Sequence, residues 1–445
     1  MRSTEGSVHG RLALAAIAAV LLFAGWRVLA LGMADQLAGV DPARALQWRG
    51  DHPGANLRQA ERLAAATGAV PAAGEGAASD DADAAVAPAA AASAVADPAA
   101  AATAAEHARE ALRREPLDGR PFRVLAQLAA AAGDRERAAF LNALAIRRTP
   151  RDLSAQAWLV DYHLSRGEVA PALARVDALM RVSPPLVAKL TPLMAQLAAV
   201  PAAQQALAEL LGRQPPWRQR VVIAIARDAA DSLAVAPLMD ALRNGPGGLS
   251  DLELGAWTDR LVRDGQIGKA YVTWASTLPP EHLQRLGNVY NGSFEWAPRR
   301  GGFDWRFTRI AGARIDRLAV TGADGQVALR VAFEDRRVPF SHVRQLLALP
   351  PGSYRLTGRA RPQNLRTQPG LVWEVACFSR PGTPLARTAP LKGHGDWRSF
   401  EVDFEVPANG CVGQWLVLRH PARIAAEQRI GGHAWFDDLR ITRVR

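Results

Sequence analysis

The chain has 445 residues, 49% hydrophobic and 22% charged. That balance is normal for globular protein, and the length exceeds one ordinary core, so two or three domains are expected. The net charge is +11, but the basic residues are nearly all Arg, with Lys only at Lys189, Lys269 and Lys392, and they are spread over every segment. A nucleic-acid face needs basic charge gathered on one element, so the distribution excludes nucleic acid as an expected partner and speaks instead for solubility.

Residues 1–11 read as a short tail and 12–34 as a transmembrane anchor. Leu12 to Trp26 carries no charge, and after Arg27 the apolar run continues to Asp35, which is about the length a single span requires. Arg27 beside Trp26 suits the membrane interface, where a long side chain snorkels and an indole ring settles. Arg2 and Arg11 precede the run, which keeps the tail cytoplasmic and places the bulk of the chain in the periplasm of a bacterial inner-membrane protein. The competing reading is a cleaved signal peptide, with Leu12–Ala24 as its apolar core and a small-residue site at Ala30–Gly32.

From Gln36 to Leu286 the pattern is Ala-, Leu- and Arg-rich, with apolar residues every three or four positions, as in helices. Residues 35–68 form a first helical segment. Residues 69–103 are almost wholly Ala, Pro, Gly, Ser and Asp; no large side chain there can build a core, so the stretch reads as a linker or disordered insertion. Residues 104–286 resume the helices. There Pro116, Pro150 and Pro184 recur at one interval, as do Asp118 and Asp152, Gly133 and Gly167, and Leu125 and Leu159. The interval is about 34 residues, the period of tetratricopeptide repeats, with Gly closing the turn within each helix pair and Pro ending the second helix. Small residues at Ala138, Ala145 and Ala172 allow close helix approach. The segment resembles the tetratricopeptide family over about 104–184, although Phe122 and Gln156 stand where the family has Trp, and Ala126 and Val160 where it has Gly. The resemblance implies a TPR-like all-α solenoid, acting as a spacer or as a docking surface for protein partners.

At Asn288 the language changes to Gly, Trp, Phe and Val, with short alternating runs. QVALRVAF, SYRLTGRA, LVWEVACF, RSFEVDFEV, CVGQWLVLR and AWFDDLRITRV all read as strands. About eight strands without intervening helices imply an all-β sandwich over 287–445. Cys377 and Cys411 in this domain are candidates for a disulfide in an oxidising compartment, the alternative being two buried thiols. Trp305 stands out in the Gly-rich loop GGFDWR, between Asp304 and Arg306, as a ring that can stack on a sugar; Trp373, Trp397, Trp415 and Trp435 are more naturally core. His394 and Asp396 in KGHGDW form a second polar loop.

NGSFEW at 291–296, FDWR at 303–306, PGSYRLTGRAR at 351–361, the W-x-x-F-E-V run from Trp397 and AWFDDLRI at 434–441 together resemble the jelly-roll carbohydrate-binding modules of the galactose-binding type. The resemblance implies neighbouring first and last strands, a glycan-binding loop or face, and a structural calcium near Glu295 and Asp437. No metalloprotease, hydrolase-elbow or phosphate-loop motif is present in the sequence. The expected whole is a non-catalytic, membrane-anchored scaffold with a glycan-binding-like domain, needing no cofactor beyond that calcium and serving envelope or exopolysaccharide assembly or export. A protein-interaction scaffold and a divergent carbohydrate-active enzyme with two facing carboxylates are the alternatives.

Overall fold

The computed structural model describes residues 5–67, 97–299, 301–380 and 382–444, with side chains from residue 17 onward. The chain divides into two compact units, Met1–Leu197 with Ala202–Trp217, and Arg218–Arg445 with Ala198–Pro201.

The first unit is helical: α1 Glu5–Leu37, α2 Pro42–Trp48, α3 Pro53–Ala66, α4 Pro98–Arg114, α5 Arg120–Ala131, α6 Arg135–Arg148, α7 Leu153–Ser165, α8 Val169–Val182, α9 Pro184–Ala198 and α10 Pro201–Gly212. The stretch Ile17–Leu37 in α1 is long and apolar enough to cross a membrane, a property it shares with signal sequences. Ile17, Leu22 and Leu29 are exposed, whereas Ala30 and Ala34 are buried. Toward its C-terminal end α1 packs against α2 and the start of α3. There Trp26 meets Trp48 of α2 at 5.6 Å between ring centroids, and Asp35 pairs with His52 at 2.8 Å.

Most of the 69–103 segment, up to residue 96, lies outside the described residues. Its end is helical: Asp97 accepts the N–H groups of Ala99 and Ala100, and Pro98 takes the first helical position, so α4 starts six residues before the expected 104. Helices α5–α6 and α7–α8 are successive pairs, beginning at 120 and 135 and at 153 and 169. Gly133 and Gly167 close the two turns with φ of +84° and +73°, a conformation that costs other residues. Ala138, Ala145 and Ala172 are buried to within 1% at the helix contacts. Arg123 on α5 reaches Glu61 and Asp152 at 2.8 and 3.0 Å, tying α3, α5 and the α7 cap together.

The second unit begins at Arg218, not at 287 as the change in sequence character suggests. It contains α11 Arg218–Asp228, α12 Ser232–Asn244, α13 Asp251–Arg263, α14 Ile267–Ala275 and α15 Pro280–Leu283. Ten strands follow: β1 Arg306–Phe307, β2 Ala313–Ala319, β3 Val327–Arg337, β4 Val343–Leu347, β5 Gly352–Thr367, β6 Val372–Cys377, β7 Pro384–Arg387, β8 Arg398–Val406, β9 Gln414–Arg419 and β10 Arg429–Arg443. They form two antiparallel five-stranded sheets, β1-β4-β9-β6-β7 and β2-β3-β10-β5-β8. The core between them is dominated by Leu329, Val331, Leu356, Trp373, Val375, Leu416, Leu418 and Phe436, contributed by alternate residues of each strand.

The helices join this unit for a physical reason. The 288–306 segment packs its rings onto α14, with Trp274 5.0 Å from Tyr290 and Tyr271 5.1 Å from Phe303 between centroids. Gly301 approaches Gly255 of α13 so closely that a Cβ on Gly301 would lie 2.3 Å from the Gly255 Cα. Arg218 and Glu253, both buried, pair at 3.1 Å, and Glu253 also completes the capping box of α13 with Ser250.

The Asn-Gly start of the sandwich has an equally local explanation. Asn291, at φ +51°, accepts from the Trp296 N–H and donates to its carbonyl. The Gly292 carbonyl accepts the N–H of Leu439 at 3.0 Å, and a Cβ at residue 292 would stand 1.9 Å from the Leu439 carbonyl oxygen. Gly292→Ala is expected to lower stability by roughly 1–3 kcal/mol, whereas Gly395→Ala, where an added Cβ meets nothing within 4 Å, should stay within about 0.5 kcal/mol; thermal melting of both variants checks this. Cys377 and Cys411 form a disulfide between the end of β6 and the segment just before β9, where Cys377 pairs with Gln414. Replacing both with Ser should cost about 2–4 kcal/mol, read as a lower denaturant midpoint that reducing agent no longer changes.

Candidate functional site

The expected sugar platform is a core residue. Trp305 is 2% exposed, donates its indole N–H to the Asn291 carbonyl at 2.9 Å, and packs between Phe294 and Trp373. Phe303, Asp304 and Trp305 are all buried, and Arg306, which opens β1, is the first of this run to be partly exposed. Asp304 is buried too and accepts the backbone N–H groups of Arg299 and Trp305. Burial pushes its carboxyl up to about 6. Both residues are structural, and neither reaches a ligand from these positions. His394 and Asp396 are exposed in the β7–β8 connection, which lies along β5 through the Leu365–Gly393 bridge; among the described residues no contact joins them to Arg306.

Arg306 is different. It opens β1 and reaches Asp259 of α13 at 2.6 Å, with its guanidinium 5.1 Å from the ring of Trp415 on β9. Arg344 on β4 lies over the same ring at 4.7 Å. Following the strand register, one row across the outer face of this sheet reads Arg306, Arg344, Val417, Glu374 and Arg387. Glu374 is 2% exposed and is bridged by Arg387 at 2.8 Å and Arg419 at 3.1 Å. The face thus carries a half-buried Trp415 flanked by two guanidiniums at one end, and a carboxylate held by two more at the other. Leu346, Val417 and Ala376 lie buried on the same face, so the polar groups stand on an apolar floor.

The electrostatics of this face are unbalanced. Arg306, Arg344, Arg387 and Arg419 face two carboxylates, Asp259 and Glu374. Arg344 has no carboxylate within ion-pair distance among the described residues, and burial together with the neighbouring Arg306 pushes its pKa down, against the pull of Asp259. Such an arrangement is a ready acceptor of an anion.

Of these residues, Arg306 and Trp415 are noticeable in the sequence; Arg344, Glu374, Arg387 and Arg419 are not. The available signal was Glu374, a carboxylate inside the otherwise apolar run Leu371–Phe378. A charge in such a run is kept only where opposite charges meet it.

Glu295 and Asp437 both hold the β2–β3 loop. Glu295 Oε1 accepts from the N–H groups of Gln326 and Val327 at 2.9 and 3.0 Å. Asp437, fully buried, accepts from the N–H groups of Asp324 and Asp438, and Arg440 pairs with Asp324 and Asp438. The groups that meet these two carboxylates are backbone N–H donors. Among the described residues no group of three or more His, Cys, Asp or Glu side chains is placed to hold a metal. Through these hydrogen bonds both side chains act as a latch on the loop. Nearby, a cleft of about 300 Å³ runs between residues 285–296 and the last strand, with Trp296, Arg285 and Asp438 in its walls.

No family model matches the chain, and no curated protein matches it. Solved structures do. A family 4 carbohydrate-binding module is 15% identical, with 35% of this chain and 99% of that one covered and a TM-score of 0.28. A family 61 module in complex with β-1,4-galactotriose is 16% identical over 36% and 99% of the two chains, TM-score 0.25. A putative sugar binding protein from Bacteroides thetaiotaomicron is 11% identical over 36% and 100%, TM-score 0.26. Likeness at this level assigns no ligand. The fold is defined by its own strand order: the C-terminal unit is an antiparallel two-sheet β-sandwich closed at one side by helices.

The latch gives a pH test. Burial pushes the Asp437 carboxyl up to about 6 from its usual 3.8, with Asp324 and Asp438 adding to the shift. A raised acid contributes stability that is full below about pH 4 and lost as pH rises through about 6. Asp437→Asn removes that titration, so the melting temperature of the variant relative to the parent should climb between about pH 4 and 6 and level off above about 7. A difference that is flat with pH would rule out the titration.

Proposed function

We propose that the outer face of the β1-β4-β9-β6-β7 sheet binds polysaccharide, and that the chain is a non-catalytic scaffold presenting this face in the periplasm from a single membrane anchor. The observation that carries the reading is the row of guanidiniums and one carboxylate around Trp415 on an apolar floor. Sugar recognition uses this combination, an aromatic ring for the pyranose face and fixed polar groups for its hydroxyls. The N-terminal apolar helix favours anchoring over cleavage, because its end is packed into the folded unit through Trp26–Trp48 and Asp35–His52. A scaffold role rather than catalysis fits the carboxylates of the face, since Glu374 and Asp259 are both engaged in ion pairs with arginine.

The helical pairs, as a tetratricopeptide-type solenoid, would dock protein partners of polysaccharide assembly or export. The exposed Leu117 and Phe140, at 79% and 64%, favour such contacts. The same residues sustain a second reading, in which the protein is a purely protein-binding scaffold.

Calorimetry of the full chain in detergent against a panel of bacterial polysaccharides tests the proposal. Saturable binding that Arg344→Ala weakens by about 10- to 100-fold, the range of one charge-assisted hydrogen bond, supports it. Absence of binding across the panel leaves the protein-scaffold reading.

A further inference from the structure

Resting on that reading of the face, we infer that its ligand is an anionic polysaccharide, one whose sugars carry carboxylates, and that Arg344 and the Arg387–Arg419 pair bind acidic groups at two separated points. The charge count on the face requires it. At the Trp415 end, Arg306 and Arg344 share one ring, yet only Arg306 reaches a carboxylate, Asp259 at 2.6 Å. At the other end two guanidiniums share the single buried Glu374. Each end therefore keeps one positive charge in excess. Two cations held side by side repel, and Arg306 beside Arg344 disfavours its charge. Folding tolerates this where a third party supplies the missing negative charge.

The geometry selects a polymer over a small anion. Arg344 and Arg387 stand on strands three steps apart in the sheet, β4 to β7 across β9 and β6, which is about 14 Å at the usual strand spacing. A lone phosphate or carboxylate meets one end only. A chain with acid groups along its length meets both. Planar guanidiniums match planar carboxylates in two-point contact. The exposure of Arg344 and Arg387 leaves both open to such a ligand.

The test uses the full chain in detergent and four polymers: a polyuronate, the same polyuronate with its carboxyls reduced to neutral alcohols, a neutral β-glucan, and polyglutamate as a non-sugar polyanion. The expected result is binding to the polyuronate alone. Arg344→Glu, an exposed position that should not disturb folding, is expected to weaken it at least tenfold, and affinity should fall as salt is raised from 50 to 300 mM. Equal binding of the reduced and unreduced polymers overturns the anionic assignment while leaving a glycan-binding face. Equal binding of polyglutamate overturns it in the other direction, as charge attraction without sugar recognition. No binding of any of the four removes the face as a glycan site altogether.

Discussion

The carbonyl of Leu439 leaves no room for a side chain at residue 292, and the C-terminal unit is arranged around that contact. It ties the chain entering the sandwich to the central strand of one sheet, β10, which is also the last strand in the sequence. With Gly292 fixed, Asn291 turns the backbone, Phe294 enters the core, and Trp305 takes its place beside Trp373. Arg306, the next residue, points out of the core and opens β1. The direction of that one arginine aligns β1 with β4 and starts the charged row across the outer sheet.

Two carboxylates on this entry path, Asp304 and Asp437, are buried, and both sit on peptide N–H groups. They fasten loops at the margins of the sandwich. Glu374, as deeply buried, faces side-chain guanidiniums on a sheet surface. The distinction separates scaffolding from recognition within one domain: the first kind of carboxylate is closed by backbone, the second by groups that can also turn to a guest.

Much of the fold was legible in the sequence. The six apolar runs became β3, β5, β6, β8, β9 and β10; period-two burial is plainest along β5, whereas β6 is buried at every position. The strands that escaped notice are β1 and β7, of two and four residues, together with the Arg-interrupted β2 and the short β4; pairing, not composition, defines them. The recurrence of Gly133 and Gly167 marked two helix turns correctly, since positive φ restricts what can occupy them. The site was less legible. A Trp in a Gly-rich loop looks exposed, yet the loop folds Trp305 inward, while Trp415, inside a plain strand, keeps a half-open face. Residues 306, 344, 374, 387 and 419 become neighbours only through sheet order, which no local pattern states.

The helices α11–α15 share a core with the sandwich through Trp274, Tyr271 and the Gly255–Gly301 contact. A sandwich of this kind is commonly imagined as a cassette that genomes move from one protein to another. Here a break at residue 287 would strip away the ring cluster on α14 and the aspartate that steadies Arg306. The smallest piece that recombination could transplant with its face intact begins near residue 218, so the last third of the helical region and the sandwich should be inherited together.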